Sequence, residues 1–357
     1  MKIICLIESL SPGGAERQMV YLASELKKAG NNVEVWTYFP NDFYLPILQE
    51  NNVTYKYIPQ ATNKIKRIPV LRKKLKGAKP DVVIAYLDTA CIVACIIKAL
   101  GGKFKLIVSE RNTTQALTMR ERIKFFCYRF ADCIVPNSFT QGEFIKRNYP
   151  KLSNRIRVIT NYIDTDKFIP CNHPSQKRLL RIIVVGRIMP QKNTIMLMRA
   201  IKMLLDKGIA VNVAWFGKSY DEQYLQSCEQ TARDLNIESS FIFKSPVQNI
   251  EEEYPKYDAF CLPSIYEGFP NVLCEAMCCG LPVICSNVCD NPIIVHAEEN
   301  GYLFNPKDVT DIANKIEKMA LLSLEQRTQM GAKNRTRILD KFSKLAFANN
   351  YVSLLNE

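Results

Sequence analysis

Two carboxylates stand with seven residues between them in Ser264-Ile265-Tyr266-Glu267-Gly268-Phe269-Pro270-Asn271-Val272-Leu273-Cys274-Glu275-Ala276-Met277. The apolar run Ala259 to Leu262 ahead of them reads as a buried parallel strand. Pro263, Gly268 and Pro270 then break regular structure, and a helix is predicted from Asn271 with Val272, Leu273, Ala276 and Met277 on its packed side. Glu267 therefore lies in the loop and Glu275 about one turn into the helix, so the pair can reach opposite ends of one bound molecule. A carboxylate accepts hydrogen bonds from paired hydroxyls, which suits a sugar at one end and a ribose at the other. N–H groups at the helix start favour an anion such as a diphosphate. Either Glu taken singly reads better as a turn or surface residue; the whole arrangement carries the chemistry.

A second group supplies positive charge. Arg181-Ile182-Ile183-Val184-Val185-Gly186-Arg187 reads as a strand ending in Gly-Arg, and Lys192 follows five residues later, just before a helix from Thr194 to Lys207. Gly186 lets a ligand approach the strand end, while Arg187 and Lys192 offer two cations to a diphosphate. Gly217 closes the next strand, Val211 to Phe216. Near the N-terminus, Ser11-Pro12-Gly13-Gly14-Ala15-Glu16 marks a strand-to-helix turn with free N–H groups.

The Ser-x-x-Glu-Gly-Phe-Pro-Asn-x-x-x-Glu-Ala-Met stretch, Gly186-Arg187 with Lys192, and Gly13-Gly14-x-Glu16 resemble motifs of glycosyltransferase family 4, the retaining nucleotide-sugar transferases of the GT-B fold. The resemblance covers nearly the whole chain. It implies a donor site made by Gly14, Gly186, Gly217, Ser264, Gly268, Phe269, Pro270, Asn271, Val272 and Glu275, with Glu267, Arg187 and Lys192 as the catalytic group. Glu267 positions the donor sugar in this reading. The two cations, with the helix start near Asn271, stabilise charge on the leaving diphosphate. The family often carries a histidine near Ser109-Glu110-Arg111-Asn112; neither His173 nor His296 is placed there, so Glu110, Arg111 and Asn112 all stay open as substrate contacts. Some members that build bacterial surface polysaccharides share this Ser-x-Arg-Asn. Gly13, Asn137 in Pro136-Asn137-Ser138 and Asn161 in Asn161-Tyr162-Ile163-Asp164 complete the candidate acceptor or sugar contacts. Asp164-Thr165-Asp166 looks like a metal signature of another transferase fold, but the resemblance assigns Asp164 to a hinge motif, and no metal or other cofactor is expected.

The elements that must hold these residues alternate strand and helix. Ile3 to Ile7, Val33 to Tyr38, Val53 to Ile58, Val82 to Tyr86, Leu106 to Val108, Cys133 to Val135 and Ile156 to Ile159 read as short buried strands, with helices such as Glu16 to Ala29 between them. Strands at Phe241 to Phe243 and Pro282 to Cys285, helices from Asp311 and Glu325, and a terminal helix Lys344 to Leu355 follow. The expected fold class is α/β: GT-B, two Rossmann-like doubly wound parallel-sheet domains facing an interdomain cleft. The domains are read as 1–168 for the acceptor, a linker over 169–180, 181–341 for the nucleotide sugar, and a last helix over 342–357 packing back on the first domain.

The chain has 357 residues, enough for two full cores. Its 13 cysteines lie in apolar contexts with no Cys-x-x-Cys, which reads as reduced core thiols of a cytoplasmic protein. The apolar start Ile3 to Ile7 is too short for a secretion signal, and no run reaches membrane-span length. Residues 1–165 carry 26 Lys and Arg against 13 Asp and Glu, whereas 166–357 carry 22 of each. The whole excess of +13 thus belongs to the first half. It concentrates in Asn63 to Lys79 and in the basic-aromatic stretch Arg120 to Phe130. Both are expected to dock on anionic lipid at the inner face of the cytoplasmic membrane. Nucleic acid ranks lower as partner, since no recognised binding module is present.

The expected activity is transfer of a hexose or N-acetylhexosamine from a UDP-linked donor to a polyprenyl-diphosphate-linked saccharide in O-antigen, capsule or exopolysaccharide synthesis. The alternatives are a sugar-nucleotide epimerase of the same fold, a GDP-mannose-dependent mannosyltransferase, and a non-catalytic nucleotide-sugar-binding module.

Overall fold

A computed structural model describes residues 1–170 and 179–357. Most of the expected linker, with His173, lies outside the described residues. The chain divides into two compact units, Met1–Asn161 with Phe347–Glu357, and Tyr162–Ala346.

In the first unit, β1 (Lys2–Leu6), β2 (Asn32–Thr37), β3 (Thr54–Tyr57), β4 (Val82–Tyr86), β5 (Lys105–Glu110) and β6 (Cys133–Pro136) form one sheet in the order β3-β2-β1-β4-β5-β6. Neighbours are parallel throughout, with Ile3 beside both Val33 and Val82. Between them run α1 (Gly14–Lys28), α2 (Leu45–Glu50), α3 (Lys64–Ala78), α4 (Asp88–Ala99), α5 (Met119–Tyr128) and, after β6, α6 (Phe139–Asn148). Central strands covered on both faces need side chains that are apolar on both, which is why Ile3-Ile4-Cys5-Leu6 and Val82-Val83-Ile84-Ala85 read as unbroken runs. Ile4, Leu6, Val83 and Ala85 share a core with Leu71 and Leu75 of α3, Ala94 and Ile97 of α4, and Phe125 of α5.

Two expectations fail here. The Val53 to Ile58 strand is shorter, and as the edge strand β3 it is mostly exposed. Ile156 to Ile159 is not a strand: one bridge joins Ile156 to Ile134, and the ladder stops there. Arg157 and Ile159 do donate to the carbonyls of Ile134 and Pro136, but a second bridge needs a returning N–H from residue 136, and proline has none.

The second unit repeats the plan with β7 (Leu180–Val185), α7 (Thr194–Asp206), β8 (Val211–Phe216), α8 (Glu222–Asp234), β9 (Phe241–Lys244), β10 (Ala259–Leu262), α9 (Asn271–Cys278), β11 (Val283–Ser286), α10 (Asn291–Ile294) and β12 (Gly301–Phe304). The sheet order is β12-β11-β10-β7-β8-β9, again all parallel. Counted within each unit, both orders are 3-2-1-4-5-6, the doubly wound arrangement whose switch points are β1/β4 and β7/β10. Then come α11 (Val309–Leu321), α12 (Leu324–Phe342), started by a Ser323/Gln326 capping box, and α13 (Lys344–Asn356). The end of α13 belongs to the first unit, where Phe347 meets Tyr21 and Tyr351 meets Tyr86.

Candidate active site

Ligands of a doubly wound sheet bind beyond the carboxyl ends of its strands, at the switch point. In the second unit those strands are β7 and β10, and the two motifs singled out in the sequence follow them directly. Beyond β7, Gly186 stands where an added Cβ would come within 3.4 Å of the Lys192 side chain. Its carbonyl accepts from Trp215 Nε1 at 2.8 Å. Gly217, beyond β8, comes so close to that carbonyl that a Cβ would lie 1.9 Å from it, so glycine is a steric requirement there. Asn193, left-handed at φ 59, turns the chain from the Pro190–Lys192 turn into α7, and its Nδ2 donates to the Pro306 carbonyl at 2.8 Å.

This turn presents Lys192 to Glu267. The ammonium lies 2.5 Å from Glu267 Oε1, and Ser264 Oγ donates to the same oxygen at 2.6 Å. Both members of the pair are largely buried, with side chains 13% and 11% exposed. Gln191 ties the loops together: its Nε2 donates to the Tyr266 carbonyl and its own carbonyl accepts from the Ile265 N–H, both at 2.8 Å. The Glu267 N–H points to Cys289 Sγ at 3.4 Å. Arg187 is exposed, with no carboxylate within ion-pair distance among the described residues.

Glu275 lies inside α9 and is buried, with Tyr254 Oη 3.5 Å from its Oε2. Burial first, and the Glu275 carboxylate second, push the Tyr254 phenol well above its ordinary range, so it remains a neutral donor. Between the two carboxylates, Phe269 and Pro270 are buried, Phe269 packing on Phe342 at 5.6 Å between centroids. Gly268, Asn271 and Val272 are half-buried, so Val272 is less packed than its helical position predicts.

In the first unit Gly13 caps α1, with Tyr44 Oη 3.4 Å from its carbonyl. A Cβ on Gly14 would meet no protein atom within 4 Å. The Ser109-to-Asn112 candidates separate clearly. Glu110 points inward: its carboxylate, 1% exposed with the whole residue, lies 3.0 Å from the buried Lys124 ammonium and accepts from Tyr128 at 3.0 Å. Lys124 also contacts Glu121 at 2.7 Å and Asp88 at 3.4 Å. Burial alone would lower the Lys124 pKa, yet Glu110 and its other carboxylate neighbours push it above the ordinary range. This cluster pins α5 to β5 and occupies the Glu110 carboxylate. Arg111 faces the strand edge, donating to Asn161 Oδ1 at 2.8 Å, Tyr86 Oη at 2.5 Å and Tyr351 Oη at 3.0 Å, with its guanidinium 4.3 Å from the Tyr86 ring centre. Its Nε is buried without a partner. Asn112 is exposed, and Asn137 is buried, its N–H bonded to the Glu110 carbonyl. Tyr86, Tyr351 and Gln191 went unnoticed in the sequence. Gln191 sits inside the Arg187-to-Lys192 spacing and was findable, whereas Tyr351 is 240 positions from Arg111 and no local pattern links them.

Asp164 and Asp166 both contact Lys344, at 2.5 and 3.1 Å. Among the described residues no group of three or more His, Cys, Asp or Glu side chains is placed to hold a metal ion. The described cysteines are free thiols, all buried except the half-buried Cys127 and Cys289.

Two doubly wound sheets in one chain define the GT-B architecture. HepE of Anabaena, solved with UDP and glucose, matches at a TM-score of 0.80 over 100% of this chain and 99% of its own, at 19% identity. The lipopolysaccharide outer core galactosyltransferase WaaB matches at 0.80 over 99% of each, at 20% identity. Residues 12–167 fit the family model Glycosyltransferase Family 4, and residues 166–337 fit Glycosyl transferases group 1. The chain belongs to the family-4 glycosyltransferases. Among curated relatives, it is 29% identical over 327 residues to GalNAc-alpha-(1->4)-GalNAc-alpha-(1->3)-diNAcBac-PP-undecaprenol alpha-1,4-N-acetyl-D-galactosaminyltransferase of Campylobacter jejuni, covering 89% of this chain and 88% of that one. It is 23% identical over 291 residues to UDP-Gal:alpha-D-GlcNAc-diphosphoundecaprenol alpha-1,3-galactosyltransferase of Escherichia coli, covering 77% and 73%.

Proposed function

We propose that this glycosyltransferase moves a hexose or N-acetylhexosamine from a UDP-sugar to a polyprenyl-diphosphate-linked saccharide, with retention, during synthesis of a bacterial surface polysaccharide such as O-antigen, capsule or exopolysaccharide. The observation that carries it is the Lys192–Glu267–Ser264 contact at the β7/β10 switch point, with exposed Arg187 beside it in sequence. Breaking the bond between sugar C1 and the diphosphate oxygen builds negative charge on the departing UDP. Lys192, Arg187 and the N–H groups at the start of α9 stabilise that charge, and no metal is assigned to the role. Glu267 holds the sugar by its hydroxyls and Glu275 the ribose. The acceptor hydroxyl oxygen bonds to C1 on the face the UDP leaves, and its proton passes to the departing phosphate oxygen. The products are a glycoside and UDP. Gly14 is assigned to the donor side, and Gly13, Arg111, Asn112, Asn137 and Asn161 to the acceptor side.

A UDP donor and a lipid-diphosphate acceptor are supported by the names of the relatives above. For the membrane, no described helix is long and apolar enough to cross a bilayer. The reading here is peripheral docking at the cytoplasmic face through α3 and α5. Only one face of α5 is available for that: Met119, Ile123 and Phe126 are 72, 52 and 55% exposed and lie among exposed Arg120, Arg122 and Arg129, whereas Lys124, Phe125 and Tyr128 are buried.

A thermal-unfolding screen tests the donor. UDP-galactose, UDP-N-acetylgalactosamine or UDP-glucose at about 100 times its Kd adds about 2.7 kcal/mol to stability. GDP-mannose should add far less. Stabilisation by GDP-mannose alone would overturn the UDP assignment.

A further inference from the structure

The first unit holds a cavity of about 620 Å³ that the acceptor assignment does not use. It opens where the C-terminal end of α3 faces the loop after α4. Asp81 and Phe104, which lie just before β4 and β5, help line it. It is therefore at the amino ends of the strands, the opposite edge of the sheet from Gly13, Arg111 and Asn137. Arg72, Lys76, Lys79 and Lys103 surround it. The single acid there, Asp81, already accepts from the Lys2 N–H at 2.6 Å. Among the described residues, Lys76, Lys79 and Lys103 have no carboxylate within ion-pair distance. Arg72 spans the gap, donating to the Leu100 carbonyl at 2.8 Å. The floor is apolar, made by Leu75, Ile97 and Phe104.

We propose that this cavity binds the phosphate-bearing headgroup of an anionic phospholipid. The proposal rests on the membrane-docking reading above and deepens it. Unpaired cations match a phosphodiester, and the apolar floor matches the glycerol and first methylenes behind it; a free inorganic anion has no use for such a floor. The placement on α3 favours a lipid as well. Ile65, Pro69, Arg72 and Lys76 recur at i, i+4, i+7 and i+11, so they share one side of the helix. Ile65 at its head is 88% exposed, and the cavity lies at its tail. A helix resting on a bilayer along that side would insert Ile65 and present the cavity to the headgroups.

The test uses dihexanoyl-phosphatidylglycerol as a monomer below its micelle concentration, so that no bilayer is involved. Binding to the full chain is read by titration calorimetry, beside dihexanoyl-phosphatidylcholine and sodium phosphate. Both of these should bind about tenfold more weakly or worse, and Lys76→Glu with Lys103→Glu should weaken the phosphatidylglycerol by about tenfold or more. Ile123→Ser with Phe126→Ser on α5 should leave it unchanged. Melting curves verify that the exposed charge reversals leave the fold intact. Phosphate binding as tightly as the lipid would make the cavity a free-anion site and overturn the proposal. So would absent phosphatidylglycerol binding, or binding indifferent to the two reversals. Sedimentation with anionic vesicles checks the docking reading separately: wild type that sediments yet does not bind the monomer sinks the cavity alone.

Discussion

Lys192 and Glu267 were expected to address different parts of the donor, the diphosphate and the sugar. The structure has them sharing one contact, with Ser264 on the same carboxylate oxygen. In the proposed reading the cation serves the leaving diphosphate and the carboxylate serves the sugar, and the contact orients each for the other. The three residues should therefore differ in weight. Lys192→Ala should lower kcat by about 10² to 10³-fold, the usual loss for a group that stabilises transition-state charge. Ser264→Ala removes one hydrogen bond to the carboxylate and should cost about five- to tenfold, with wild-type melting behaviour. Steady-state kinetics on purified variants reads both. A Lys192→Ala enzyme within about threefold of wild type would remove Lys192 from the charge-stabilising role.

At the scale of elements, the placement of the site rests on close backbone approaches and on one buried charge cluster. Gly331 of α12 lies so near the end of α9 that a Cβ would fall 1.8 Å from the Gly280 carbonyl. Gly331→Ala should thus lose about 2 to 3 kcal/mol, seen as a lower urea midpoint. Lys124→Met leaves buried Glu110 and its neighbour Glu121 without their cation, with only exposed Arg120 still on Asp88, and should lose about 3 to 5 kcal/mol; adding Glu110→Gln should recover part of it. This cluster also marks the limit of reading the chain alone. Runs such as Ile182 to Val185 announce a buried parallel strand because covering both faces demands it. The two motifs that meet at Lys192 and Glu267 were legible because each has local spacing, within a single strand-loop-helix corner. Glu110 could not be told apart from Arg111 and Asn112 because the side chains around it come from α4 and α5, and nothing in Ser109-Glu110-Arg111-Asn112 says which side chains turn inward. Arg120 to Phe130 was read as one docking surface; the helical period divides it, and only the face with Ile123 and Phe126 stays outside.

At the scale of the whole molecule, the positive charge is divided unevenly along the chain. The excess of +13 lies within residues 1–165, while residues 166–357 balance. A long-range field of that kind attracts an anionic bilayer and is screened by salt. Sedimentation with phosphatidylglycerol vesicles should therefore fall steeply between about 0.1 M and about 0.5 M NaCl, and Ile123→Ser with Phe126→Ser should weaken it further at either salt. Equal sedimentation with neutral vesicles would contradict the electrostatic part. The most direct test of the central claim is transfer of labelled sugar from the UDP-sugar that best stabilises the protein to a polyprenyl-diphosphate-linked saccharide, by wild type and Glu267→Gln in parallel. The account predicts a labelled α-glycoside on the lipid with wild type and a rate at least about 10³-fold lower with Glu267→Gln. Near-normal transfer by Glu267→Gln would contradict it.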